Sequence, residues 1–303
     1  MEKILITGSN GLLGQKLVYS LRNRANIEVI AASKGLNRLS EKTGYTYYEL
    51  DITNKTEIQT LLTTLQPEVI INTAAMTNVD ACETQRDECW NLNVNSVKNF
   101  IEVILEIPNY SPHFIHLSTD FIFDGTHGPL TEDAIPNPLS YYAESKLAAE
   151  ELLKSSTLSW AIARTVLVYG ITDNMSRSNI VLWAKSALEQ GKIINVVDDQ
   201  FRTPTLAEDL AEGCIRIALK KAKGIFNISG KDFMSILELV QRVADFWKLD
   251  HGLIKPSKSE SIKQPAKRPP RTGFIIEKAK SELGYSPHSF EEGLAILDEQ
   301  LKK

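Results

Sequence analysis

The sequence predicts a doubly wound α/β fold: a parallel sheet covered by helices on both faces, followed by a smaller α/β domain. Three observations predict it. Short apolar, β-branched runs alternate with helical patterns over the first 170 residues, three glycines spaced by three follow the first of those runs, and the rhythm loosens after Tyr169-Gly170.

The strand candidates are KILIT (3–7), EVIAA (28–32), TYYEL (46–50), EVIINT (68–73), HFIHLS (113–118) and WAIARTVLVYG (160–170). Runs this apolar suit strands buried on both faces, and the helices between them demand right-handed crossovers. Residues 1–170 are thus one domain. The remainder, 171–303, reads as a helix at 178–190, a strand IINVV (193–197), a helix at 206–220, a strand GIFNIS (224–229) and a helix at 235–248. It is expected to cap the carboxyl edge of the sheet, with about 203–230 packing back on it. The stretch KPSKSESIKQPAKRPPRTG (255–273), rich in Lys, Pro and Ser, fits either part of that cap or a surface loop.

Composition sets limits on function. With 303 residues, 43% hydrophobic and 24% charged, the chain is ordinary for one large or two modest globular domains. No apolar run approaches the roughly 20 residues that span a bilayer, and MEKILITGSN lacks a signal peptide's apolar core, so a cytoplasmic protein is expected. Cys82, Cys89 and Cys214 are odd in number and show no CxxC spacing, which reads as reduced and structural. Net charge is −4, and the basic cluster from Lys263 to Arg271 is short and proline-rich. No nucleic-acid or membrane partner is expected; that cluster suits a small anion better.

Two stretches carry chemistry. In TGSNGLLGQKL, Gly8, Gly11 and Gly14 follow the first strand and open a helix, where free N–H groups and a positive dipole suit a dinucleotide pyrophosphate. Which dinucleotide depends on the end of the second strand. NAD binders carry a carboxylate there; Glu28 starts that strand instead, about 15 Å short of its end. Ser33-Lys34 at the exit suit a 2′-phosphate, so NADP(H) is favoured and NAD(H) stays open, with Lys34 as a plain solvated loop lysine the competing reading. In PNPLSYYAESKLAAEE (136–151), helical spacing puts Tyr142 and Lys146 on one face and turns Tyr141 away. An ammonium near a phenol lowers a pKa of about 10, as a proton donor near neutral pH requires.

In this order the motifs resemble an extended short-chain dehydrogenase/reductase of Rossmann type, and within that group the dTDP-4-dehydrorhamnose reductase family. The resemblance is carried by Gly8-x-x-Gly11-x-x-Gly14, Asp51-Ile52, NTAAMTNVDACE from Asn72, NVNS from Asn93, STDFIFDG (118–125), Tyr142-x-x-x-Lys146, RTVLVYG from Arg164 and VVDDQFRTPT from Val196. It implies reduction of a nucleotide-linked 4-keto sugar, with Tyr142 the acid, Lys146 holding the nicotinamide ribose and lowering the tyrosine pKa, and Thr119 on the carbonyl. It assigns the cofactor to Gly8, Asn10, Gly11, Leu12, Leu13, Gly14, Ser33, Lys34, Asp51, Ile52, Ala74, Ala75, Asn93 and Ser118 besides Tyr142 and Lys146. The substrate falls to Thr77, Asp120, Phe121, Arg202 and Arg268. A homodimer is compatible with it.

Departures from the family pattern matter too. Some members place a metal-binding carboxylate after the glycine loop; Gln15-Lys16 stand here, so no metal is expected. Arg202 replaces a small residue, to clamp the substrate pyrophosphate or else to pair with a neighbour such as Asp199. Sugar-nucleotide dehydratases carry a Glu where Phe121 follows Asp120, and phenylalanine cannot take a proton. An epimerase, or a non-catalytic subunit like the regulatory β subunit of methionine adenosyltransferase, remains as an alternative.

Overall fold

The computed structural model describes residues 1–174, 178–262 and 264–302; Lys263, at the head of the basic cluster, lies outside them. The first half runs β1 (Glu2–Thr7), α1 (Leu12–Leu21), β2 (Ile27–Ser33), β3 (Thr46–Glu49), α2 (Lys55–Leu65), β4 (Val69–Asn72), α3 (Val79–Thr84), α4 (Arg86–Trp90), α5 (Ser96–Glu106), β5 (His113–Thr119), α6 (Tyr141–Lys154) and β6 (Ser159–Thr165). Short polar side chains start the helices that need starting: Asn54 accepts from the N–H groups of Thr56 and Glu57 at α2, and Ser140 from that of Ala143 at α6. A π turn at Asn91–Asn95 joins α4 to α5.

The strand candidates of the first half lie within a few residues of where they were expected, with one difference. The run 160–170 is two strands, because Leu167 adopts a left-handed φ of 38° that re-aims the chain out of the sheet. The second half runs β7 (Val168–Tyr169), α7 (Ile180–Glu189), β8 (Ile194–Val197), β9 (Phe201–Arg202), β10 (Thr205–Leu206), α8 (Ala207–Lys220), β11 (Gly224–Asn227), β12 (Met234–Ser235), α9 (Ile236–Trp247), β13 (Ile254–Ser257) and α10 (Phe290–Leu301).

Seven parallel strands form the central sheet in the order β11-β6-β5-β4-β1-β2-β3. Alternation along each strand splits its side chains between two cores. Ile4, Ile6, Ile71 and Ile115 pack with Leu17 of α1 and Leu210 of α8, while Leu5, Ile70, Phe114 and Ile162 pack with Ile58 of α2, Phe100 of α5 and Leu153 of α6. A third core holds the cap together: Val181 of α7, Val240 of α9 and Leu294 of α10 gather around Tyr169, with β8 and β13 paired in parallel beside them.

Beyond β10, edge strand β11 pairs with β6 and α8 packs against the sheet. So does a segment that was not expected to. Phe274, Ile276, Ala279, Leu283 and Tyr285 are buried in the core beneath α8, so the cap is crossed and left again. Among the described residues no helix is long and apolar enough to cross a membrane.

Candidate active site

Between the carboxyl edge of the sheet and the cap lies a cavity of 690 Å³. Its first wall is the glycine turn. Gly8 sits at φ 68°, and a Cβ there would come within 2.7 Å of the Ala74 nitrogen; one on Gly14 would stand 2.3 Å from the Gly8 carbonyl oxygen. The turn can therefore be built only with glycine at both places. Gly11 caps α1 with no side-chain hydrogen bond, unlike the capped α2 and α6, and with Leu12 and Leu13 it lines the cavity. Uncapped N–H groups at a helix start are a site for phosphate. The residues present thus fit a dinucleotide.

Thr119, Tyr142 and Lys146 line this cavity, together with Ser118, Ala75 and Thr77. Thr119 closes β5 in an extended conformation, and its hydroxyl oxygen accepts from the Phe121 N–H at 3.2 Å. Tyr142 and Lys146 rise from one face of α6 into the cavity. Tyr141 lies outside it, its ring 5.9 Å from Trp90 and 4.8 Å beneath the Arg86 guanidinium.

The electrostatics differ from expectation. Burial pushes the Tyr142 phenol above its ordinary value, the adjacent Thr119 hydroxyl pulls the other way, and Lys146 is not among the leading influences. An ammonium that holds a phenolate is not what this cavity contains. Lys146, 3% exposed, is pushed down to about 8 by burial, and its Nζ stands 3.3 Å from Nε2 of His116. Desolvation outweighs mutual attraction for both groups.

Asn93, expected at the cofactor, is 1% exposed and fully engaged. Its Oδ1 accepts from the Met76 N–H at 2.8 Å, and its Nδ2 donates to the Ser145 hydroxyl at 2.9 Å and to the Met76 carbonyl at 3.2 Å. It clamps the loop after β4 to α6. Ile52 is 4% exposed in the core, which leaves only its backbone for a ligand. Lys34, Asp51, Ser33 and Asn10 gather beyond the glycine end: Lys34 pairs with Asp51 at 2.7 Å, and Asn10 holds the loop after β2 by donating to the Leu36 carbonyl and accepting from the Arg38 N–H.

The arginines change most. Arg202 is 3% exposed; it donates to the carbonyls of Phe201 and Pro269 at 2.7 Å each, and its Nε lies 3.5 Å from Asp120. Its partner is Asp120, not Asp199, which accepts instead from Ser259. With both terminal nitrogens engaged by the protein, the expected pyrophosphate clamp gives way to a buried tie. Burial raises the Asp120 pKa while Arg202 and the Thr272 hydroxyl hold it down. Arg268 makes two contacts to Asp80, at 2.8 and 3.2 Å, and so ties the 264–268 stretch, which lines the cavity through Gln264 and Arg268, to α3.

Three features were not foreseen. Trp183 of α7 lines the cap side of the cavity, 42% exposed. Gln15 exchanges hydrogen bonds with the backbone of Asp173, which ties α1 to the loop after β7. His116 is fully buried behind Lys146; a histidine between Ile115 and Leu117 in the middle of a strand run was the signal. No cluster of three or more His, Cys, Asp or Glu suited to a metal occurs among the described residues.

The family model of the RmlD substrate binding domain matches residues 1–302. The chain belongs to that family. It is thereby an extended short-chain dehydrogenase/reductase, among nucleotide-sugar oxidoreductases. Among the relatives of this RmlD-family chain is the probable low-salt glycan biosynthesis reductase Agl14 of Haloferax volcanii, 29% identical over 97% of this chain and 96% of that one. Subunit beta of methionine adenosyltransferase 2 from Rattus norvegicus is 29% identical over 84% of this chain and 75% of its own length. The structure of dTDP-4-dehydrorhamnose reductase from Bacillus anthracis in complex with NADP superposes with a TM-score of 0.83 at 25% identity, covering 99% of each chain.

Proposed function

We propose that this protein is an NAD(P)H-dependent reductase of a nucleotide-linked 4-keto sugar, with NADPH the favoured cofactor. The observation that supports it most is the placement of Thr119, Tyr142 and Lys146 together in one cavity that opens on the uncapped start of α1 at one end and on the cap at the other. The bound nicotinamide supplies hydride to the keto carbon. Tyr142 supplies the proton to the carbonyl oxygen, and its raised pKa keeps it a loaded donor at neutral pH. Thr119 orients the carbonyl beside that phenol. Lys146 and the backbone of Ala75 hold the cofactor ribose, while Gly11, Leu12 and Leu13 face its pyrophosphate. Thr77 and Phe121 border the sugar, and Arg268, whose two terminal nitrogens pair with Asp80, reaches the substrate phosphates only by giving up part of that pairing.

Phe121 stands edge-on to Tyr142 with ring centres 6.2 Å apart, where a dehydratase needs a base. Dehydration is thus disfavoured. The likeness to the methionine adenosyltransferase subunit favours one second reading, a regulatory subunit that binds a partner enzyme. A single assay separates the readings. NADPH oxidation is followed across a panel of nucleotide-linked 4-keto sugars: stoichiometric consumption supports the reductase, interconversion of sugars without net consumption makes it an epimerase, and no turnover on any sugar with recovery of a stoichiometric enzyme partner makes it the regulatory subunit.

A further inference from the structure

Behind Lys146 a row of polar side chains crosses the sheet. The strand register sets Thr7 of β1 opposite Asn72 of β4, and Asn72 opposite His116 of β5. All three point to the face that carries Leu5, Ile70 and Phe114, and all are at most 1% exposed. The row is hydrogen-bonded end to end. The Thr7 hydroxyl donates to Asn72 Oδ1 at 2.6 Å, Asn72 Nδ2 faces His116 Nδ1 at 3.3 Å, and His116 Nε2 faces Lys146 Nζ at 3.3 Å.

Its polarity has a consequence. An amide nitrogen only donates, so Nδ1 of His116 accepts, and a neutral ring then carries its proton on Nε2. Full burial beside Lys146 keeps the ring neutral. The N–H on Nε2 faces a nitrogen, and only an unprotonated amine can accept it. The other charged and titratable groups near Lys146 do not replace this contact: Glu150, one turn on, is held by Arg164 of β6 at 2.7 Å, Cys89 of α4 is a buried thiol, and Tyr142 is a buried phenol. Among the described residues Lys146 has no carboxylate partner within salt-bridge distance.

We propose that His116 is a positioning residue that presents its ring N–H to Lys146, so that the empty cavity favours the amine form of Lys146 and the entry of an anionic dinucleotide shifts it to the ammonium. The ammonium so formed finds no acceptor on the ring in this tautomer. Its N–H groups are then given to the oxygens of the incoming ligand, which is how the row behind the site directs the lysine forward. The uptake half of this inference rests on the cofactor reading above; the tautomer half does not.

Two measurements on the full chain test it. Nitrogen-15 NMR of the ring nitrogens in uniformly labelled protein reads the tautomer, with His116→Gln assigning the signal among the five histidines. The expected ring is neutral from pH 5 to 9 with its proton on Nε2. A proton on Nδ1, or a ring that titrates in this range, overturns the proposal. Calorimetry of NADPH binding at pH 8 in two buffers of different ionisation enthalpy reads proton uptake. Uptake of about half a proton is expected, since a group with a pKa of about 8 is half protonated at that pH. It should vanish in Lys146→Met and fall at least twofold in His116→Leu, which keeps the volume and removes the N–H. Equal uptake in the parent and His116→Leu shows that the ring does not set the lysine's state, and sinks the proposal. Failure of NADPH to bind removes the cofactor reading and the uptake half with it, and the ring tautomer alone then decides whether His116 presents its N–H to the lysine.

Discussion

Two buried cations face the same cavity under opposite conditions. Arg202 has its countercharge in Asp120 and carbonyls on both terminal nitrogens, whereas Lys146 has a histidine ring and no salt-bridge partner among the described residues. A buried charge with a complete shell is fixed in place, and one without a shell is held at a cost and is free to change. Arg202 therefore builds the wall, and Lys146 is the group left able to respond to what enters.

The largest effect should come from breaking the satisfied pair. Arg202→Ala leaves Asp120 buried without its countercharge and should lower stability by about 3 to 5 kcal/mol, read from urea unfolding. Unchanged stability with weakened binding of the nucleotide sugar would turn Arg202 back into a substrate clamp and undo the comparison. Lys146→Met should do the reverse. The folded pKa of Lys146, about 8, lies below its unfolded value near 10.5, so below pH 8 the fold carries a charge it disfavours. Between those values the unfolded chain holds a proton that the folded chain lacks, and parent stability rises with pH. The empty Met variant should therefore exceed the parent by up to about 3 kcal/mol at pH 7, a gap that closes from pH 8 to 10.5. A constant gap across that range would show that Lys146 is not the group titrating.

Tyr142→Phe removes the proton donor from the unsatisfied end and should lower turnover about 100-fold or more, with cofactor binding kept. Tyr141→Phe, outside the cavity, should cost little; equal losses would contradict the separation of the two tyrosines by α6. The smallest effect belongs to the solvent-exposed pair. Lys34→Ala should narrow the preference for NADPH over NADH only modestly in direct titrations, since Lys34 is exposed and shared with Asp51. A parent protein that prefers NADH would remove the reading of Ser33-Lys34.

What could be read in the sequence follows the range of the interactions involved. The buried strands announce themselves because a strand covered on both faces is apolar throughout, and Tyr142 with Lys146 because four residues make one helical turn. Arg268 and Asp80 are 188 residues apart, and nothing local to either names the other. The row from Thr7 to His116 exists only through the registers of β1, β4 and β5, so each polar residue looks like an isolated exception in its own strand. The segment 274–285 escaped for a related reason: its apolar residues are interleaved with Lys and Glu, and what they fill is a space shaped by α8.

That late-arriving segment bears on how the chain is made. A ribosome that has released residue 170 has delivered six of the seven strands, yet β6 has no neighbour on its outer side, because β11 has still to be synthesised. Even with β11 in place, the hydrophobic space beneath α8 stays open until Phe274 to Tyr285 have emerged. For that interval the nascent chain presents an unpaired strand edge and an unfilled core to its surroundings, the combination that invites pairing with other chains. Filling of that core is thus a late event in synthesis, and chaperone occupancy of the growing chain should persist until Phe274 to Tyr285 leave the exit tunnel.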